Sequence, residues 1–219
     1  MKYIKKGLPP ESLIKHQKEA FADYDNYSKK DDLRNNLLKE QGHICCYCMQ
    51  RISVAMMKIE HYKPQSIYNG KENLHNLTLS YSNLLGSCMG NQGQKEPLQH
   101  CDTYKGEKEF TKINPLLSSN ENYFKFLPNG RIDSDDSEVS KDIDMVLNLN
   151  VSHLIIARKG KIDGIIQAIQ EYCRNSKQLS KYFLEENIAK YQTPDKEGKL
   201  KPFCQVTIYY LQKKLKQLI

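Results

Sequence analysis

Hydrophobic positions repeat with a helical period at both ends of this chain and with a short, interrupted period in the middle. Pro9-Pro10-Glu11 reads as a helix start, because proline suits the first turn and an acid faces the positive end of the helix dipole. Leu13, Ile14, Gln17, Phe21 and Tyr24 then recur at helical spacing. A second helix is predicted from Asp31 to Gln41, with Leu33, Leu37 and Leu38 on its inner face and Gly42 as its stop. From Lys58 to Gly106 the apolar runs shorten. Met57 to Tyr62 and Asn83 to Ser87 read as strands, separated by an Asn69-Gly70 turn and a polar stretch through Asn76. Gly86, Gly90 and Gly93 mark a loop, and a helix begins near Cys101.

Tyr123 to Ile132 reads as a hairpin with Pro128-Asn129-Gly130 at its tip. Ile143, Val146, Leu147 and Leu149 lead to a break at Asn150. Beyond it, Ser152 caps a helix carrying Leu154, Ile155, Ile162, Ile165, Ile166, Ile169 and Cys173, although Gly160 and Gly164 count against it. Further helices over Leu179 to Tyr191 and Pro202 to Leu218 flank an exposed loop from Thr193 to Gly198. The pattern predicts a predominantly helical α+β protein in three parts: N-terminal helices over 1–42, a compact unit over 43–112, and a hairpin followed by helices over 113–219.

A chain of 219 residues, 39% apolar and 27% charged, has material for one large core or two small ones. Its net charge of +7 permits a polyanionic partner without requiring one. No run approaches the ~20 apolar residues that span a bilayer. The basic start, Met1-Lys2-Tyr3-Ile4-Lys5-Lys6, lacks the apolar segment of a signal peptide, so a cytoplasmic location is predicted. Seven cysteines fit that compartment as reduced thiols. Cys173 and Cys204 fall in helical patterns and read as small buried hydrophobes.

The other cysteines carry chemistry. A Cys-x-x-Cys turn presents two thiolates at the spacing of two tetrahedral corners, and structural zinc needs two more ligands from elsewhere. Cys45 and Cys48 form the first pair, and Cys88 with Cys101 is the natural second; Cys46 and His100 compete for places in the set. No βαβ pattern surrounds the motif, which argues against a redox dithiol. Between the pairs stands Glu60-His61. Histidine is suited to activating water near neutral pH, and carboxylates suit Mg²⁺ or Mn²⁺. On a regular strand the two would project to opposite faces, so joint action requires the strand to bend or end there.

The order of these residues resembles the HNH, or ββα-metal, endonucleases. The matching elements are Glu60-His61, then Asn83-Leu84-Leu85-Gly86-Ser87-Cys88, then Cys101-Asp102-Thr103-Tyr104-Lys105. The resemblance implies a zinc-stapled HNH unit within 43–112 and a metal-dependent endonuclease. In it His61 is the general base and Glu60 and Asp102 hold the catalytic divalent ion. Asn83 braces the loop that orients His61, and Lys105 approaches substrate phosphate. Two departures stand out: Asp102 replaces the commoner His or Asn, and the gap between Cys88 and Cys101 is long.

Beyond the motif, Gln41-Gly42-x-x-Cys45-x-Tyr47-Cys48, Ile59-Glu60-His61-Tyr62-x-Pro64, Ser82-Asn83-Leu84-Leu85-x-Ser87-Cys88, a Gly130-Arg131-Ile132 turn and Leu147 to Asn150 resemble the PtuB family. These are nuclease subunits of Septu-type and retron-linked anti-phage systems. That resemblance implies an ATPase partner, PtuA, and in retron-linked cases a reverse transcriptase and its nucleic acid. DNA is the default substrate for the motif and RNA, including tRNA, the second. The rival reading is an inactive zinc-stapled adaptor for nucleic acid or protein. Lys199, Lys201, Lys213, Lys214 and Lys216, with no acid after Lys199, give the chain a basic tail suited to phosphate or simply to solvent, while Tyr209 and Tyr210 suit a docking face.

Overall fold

The structure, a computed structural model, describes residues 1–68, 77–176 and 178–218. The predicted Asn69-Gly70 turn and His75, Asn73 and Asn76 lie outside the described residues. The first helix, α1 (Glu11–His16), stops well before the Phe21 and Tyr24 of the helical pattern. His16 explains the early end. Its ring bonds the Glu19 carboxylate at 2.7 Å and the Asp23 carbonyl at 2.9 Å, and Asn26 ties down Phe21 and Asp23. Such local side-chain bonds give the backbone an alternative to further helical turns. Phe21 is left 95% exposed.

Helix α2 (Lys30–Glu40) buries Leu33, Leu37 and Leu38 as the spacing predicts. It ends where Gly42 takes φ +61° and the His43 amide bonds back to the Leu38 carbonyl at 2.9 Å. The chain then makes a knuckle: Cys45 and Gln50, Cys45 and Met49, and His43 and Ile52 are joined by backbone bonds of 2.8–3.1 Å. Strand β1 (Met57–His61) pairs antiparallel with β2 (Leu84–Cys88), Met57 opposite Cys88 and His61 opposite Leu84. Gly86, expected in a loop, lies inside β2. Gln41 reads its outer edge, accepting from the Gly86 amide at 2.6 Å and donating to its carbonyl at 2.8 Å. A β-carbon there would lie 2.8 Å from the Met57 methyl and 3.3 Å from the Gln41 amide, so a side chain at this position would require both to shift.

Helix α3 (Cys101–Lys105) follows, then a small hairpin of β3 (Lys125–Phe126) and β4 (Ile132–Asp133). Helix α4 (Ser137–Lys141) starts on an Asp136 cap and runs into a π turn over Asp142–Val146. The buried Asp142 carboxylate accepts three backbone amides, from Thr111, Lys112 and Ile113, and so anchors the segment after α3. Helix α5 (Ser152–Ser176) runs through Gly160 and Gly164, both facing open space, and α6 (Lys181–Gln192) and α7 (Cys204–Lys216) complete the chain. Helical segments occupy about half of the molecule.

One continuous core runs from Met1 to Ile208, with a satellite of Ile165, Leu184 and Leu211 joining α5, α6 and α7. Full burial of a leucine such as Leu184 contributes roughly 1.5–3 kcal/mol, which is what holds α6 onto its neighbours. The C-terminal segment also clasps the knuckle: Leu200 donates to the Gly42 carbonyl at 2.9 Å and Phe203 to the Met49 carbonyl at 3.0 Å. No helix among the described residues is long and apolar enough to cross a membrane.

Candidate metal and catalytic centre

Four cysteine sulfurs, from Cys45, Cys48, Cys88 and Cys101, converge within 4.8 Å of one another, all buried. The knuckle supplies two, the end of β2 one and the first residue of α3 the last. Cys45 and Cys101 sulfurs are 3.9 Å apart and Cys48 and Cys88 sulfurs 3.7 Å. Sulfurs about 2.3 Å from a tetrahedral metal stand about 3.8 Å apart, so the set fits a metal ion. Its protonation points the same way. Burial pushes the Cys48 and Cys101 thiols well up, and although burial also opposes charge on Cys45, hydrogen bonds from Cys101, Cys46, Cys48 and Cys88 hold that thiol well below its usual range. Four thiolates cannot share this pocket without a cation among them.

Neither competing ligand joins the four. The Cys46 amide donates to the Gly86 carbonyl at 3.0 Å, and its sulfur lies outside the converging set. His100 Nδ1 lies 3.1 Å from the Cys101 sulfur, and its Nε2 meets His153 Nε2 at 3.0 Å. His153, to which the sequence reading assigns no role, thereby props the ring bordering the thiol cluster. Gly90 makes room for this loop: at φ +54°, a β-carbon would lie 2.1 Å from the His100 carbonyl.

Strand periodicity places the second group. On β1, Lys58 and Glu60 share one face while Met57, Ile59 and His61 share the other. Glu60 is buried and ion-paired to Lys105 at 2.9 Å, and the Tyr47 hydroxyl donates to the same oxygen, Oε1, at 2.7 Å. No donor among the described residues reaches Oε2. Asp102, one residue into α3, meets the Glu60 carboxyl at hydrogen-bonding range, and Lys58 sits 3.3 Å from its Oδ2. Burial, then the neighbouring Asp102, raises the Glu60 carboxyl well above the usual range. A buried carboxyl beside a partly exposed one fits a hard divalent cation.

Lys105 is not at the surface where a phosphate contact would need it. Its side chain is 1% exposed, and its ammonium also donates to the His61 carbonyl at 3.1 Å. The helix turn that carries Asp102 outward turns Lys105 inward, so it steadies Glu60 instead.

His61 ends β1 on the opposite face. Its Nε2 lies 2.9 Å from the Thr78 carbonyl, which can only accept, so Nε2 carries the proton and Nδ1 is the ring's acceptor. The Gln65 amide nitrogen lies 3.2–3.3 Å from the two ring nitrogens, and Tyr24 meets the ring edge-on at 4.5 Å between centroids. Burial lowers the imidazole's proton affinity, partly countered by the Thr78 bond, and leaves it neutral at neutral pH. No hydrogen bond joins the His61 ring to Glu60 or Asp102 among the described residues. Asn83 holds the turn that follows: its Oδ1 accepts from the Lys63 amide at 2.8 Å, and its Nδ2 donates to the carbonyls of Lys63 and Leu77 at 3.1 Å.

Tyr47, Lys58, Gln65, Thr78 and Tyr24 thus join a group the sequence reading built from Glu60, His61, Asn83, Asp102 and Lys105. Tyr47 had a signal, lying between two of the metal cysteines. The other four depend on register and on a loop returning from far away.

No protein-family model matches the chain. Over 180 residues it is 29% identical to a protein of Vibrio cholerae serotype O1 biovar El Tor named "Retron Vc95 putative HNH endonuclease", a match covering 79% of this chain and 84% of that protein.

Proposed function

We propose that this chain is a metal-dependent HNH endonuclease hydrolysing phosphodiester bonds, with 43–112 as its nuclease unit. One observation carries the reading: Glu60 and Asp102, 42 positions apart in sequence, meet as adjacent carboxyls beside a four-thiol cluster. The likeness to a protein named as an HNH endonuclease supports it.

In this reading the four cysteines hold structural zinc, and Glu60 with Asp102 holds Mg²⁺ or Mn²⁺. The divalent ion, when bound, polarises the scissile phosphate and offsets charge on the leaving oxygen. The rest is done by side chains. His61 Nδ1 takes a proton from water while Nε2–H stays on the Thr78 carbonyl, which fixes ring and tautomer. The water oxygen bonds to phosphorus as the bond to the leaving oxygen breaks, and that oxygen is protonated by solvent. Asn83 positions the turn behind His61, and Lys105 with Tyr47 engages Glu60 Oε1, so Oε2 is the oxygen that would hold the ion.

DNA is the favoured substrate and RNA, including tRNA, the second. The retron in the relative's name motivates an anti-phage role with an ATPase of the PtuA kind and a retron reverse transcriptase as partners. The test is to incubate purified protein with DNA and with RNA in Mg²⁺ or Mn²⁺, with and without the ATPase. Cleavage is expected in at least one mixture, and His61→Ala should reduce it at least about 100-fold with zinc content and fold unchanged. Wild-type cleavage by His61→Ala would remove His61 as the base. Silence of the wild type in every mixture would return the adaptor reading.

A further inference from the structure

At the far side of the C-terminal region, a groove of about 240 Å³ opens between the β3–β4 hairpin and the second half of α7. Phe126 and Pro128 form one wall, Tyr209 and Tyr210 the floor, and Lys213 and Lys214 the rim. The Phe126 and Tyr209 rings meet edge-on at 5.7 Å between centroids, so the Tyr209 ring is held in place by another aromatic. The Lys214 ammonium stands 6.0 Å from the Tyr210 ring centre.

The polar groups here are unspent. Among the described residues, neither tyrosine hydroxyl has a hydrogen-bond partner and neither lysine has a carboxylate. The acids of the hairpin face Lys125: Asp133 stands opposite it across the two strands, and Asp135 is ion-paired with it. From Lys199 to the end the chain carries five lysines and no acid, so nothing on α7 neutralises the rim.

We infer that this groove binds single-stranded polynucleotide, with a base against the Tyr209–Phe126 wall and flanking phosphate on Lys213 and Lys214. Flat aromatic faces beside unpaired cations are the two components of sequence-tolerant strand binding. A recess this size admits one unstacked base but not a stacked duplex. Charge selects the occupant, since a polyanion matches the rim whereas an apolar protein segment would bury two uncompensated ammoniums. Position fits as well. The start of α7 is bonded to the metal knuckle at Met49, and Tyr209 to Lys213 lie roughly 9–15 Å further along the helix at 1.5 Å per residue. The groove therefore lies on the helix whose start is anchored to the metal knuckle, and as a site for the substrate strand it rests on the nuclease reading.

The test measures fluorescence anisotropy of labelled DNA and RNA 20-mers, single-stranded and duplex, with the full chain carrying His61→Ala to prevent cleavage. Single strands should bind more tightly than duplex. Adding Lys213→Gln and Lys214→Gln should weaken binding about tenfold and flatten the log–log salt dependence by roughly 1.4, the share of two phosphates on a single strand. Tyr209→Ala should weaken it at least about fivefold, while Tyr209→Phe, which keeps the ring, should bind like the parent. The DNA and RNA arms identify the sugar. Unchanged affinity in the lysine and alanine variants, with unchanged circular dichroism, overturns the inference while leaving cleavage by the wild type to stand. No binding of any strand by the parent overturns it too, and points to a protein occupant. Groove-dependent binding by a wild type that cuts nothing would instead defeat the nuclease reading alone.

Discussion

Lys105 is the residue whose surroundings most change its meaning. From the sequence it is a lysine one turn into a helix; in the structure it is a buried cation on a buried carboxylate. Removing one member of such a pair leaves the other charge desolvated and unpaired. Lys105→Met should therefore destabilise the protein by about 3–5 kcal/mol in chemical denaturation. A loss below about 1 kcal/mol would mean that Glu60 is already neutral and needs no partner. His16 makes the opposite kind of statement, because acceptors face both ring nitrogens, the Asp23 carbonyl and then Glu19. These raise its proton affinity above the ordinary histidine value. The stabilisation is fully present below that value and is lost as pH rises through the raised one. Thermal melts of wild type and His16→Gln should thus differ most near pH 5 and converge by about pH 9, and a gap that widens with pH would reverse the assignment.

At the scale of elements, the knuckle, β1–β2 and α3 share one core, with Ile44, Met49, Ile52, Met57, Leu84 and Leu85 buried in it, and a second tie links them. The thiol cluster joins all of them: Cys45 and Cys48 from the knuckle, Cys88 from β2 and Cys101 from α3. Cys88 and the Glu60–His61 pair lie about three residues apart along the paired strands, roughly 10 Å. A staple at one end therefore sets the spacing of the carboxyls at the other. Cys48→Ser should lower both metal stoichiometry, read by elemental analysis, and melting temperature. A variant retaining full metal content would show that another ligand completes the site.

Across the whole molecule, the clasp from α7 to the knuckle makes the metal a concern of the C-terminal region as well. Phe203 and Leu200 bond the knuckle's backbone, and Cys204 and Val206 enter the same core as Cys45 and Cys48. Stripping the metal with a chelator should loosen both together. Limited proteolysis is expected to cut within 199–203 as well as in 43–56 once the metal is gone, and to spare both while it is bound. Cleavage confined to the knuckle would show that the helical region stands independently.

Much of this was legible in the residues themselves. The α2 stop at Gly42, the two strands, the Cys-x-x-Cys turn and the Cys88–Cys101 pair follow from local rules: period, turn chemistry and ligand spacing. Local rules failed where contacts from distant parts of the chain decided the outcome. The α1 pattern was cut short by side chains bonding the following turn, Gly86 entered a strand because Gln41 covers its edge, and Lys105 turned inward onto Glu60. The sequence by itself determined which residue types can hold metal and move a proton. Only the tertiary structure decided which ring nitrogen of His61 carries the proton, which oxygen of Glu60 pairs with Lys105 and which lysines keep their charge for a partner, because each depends on a neighbour brought from far along the chain.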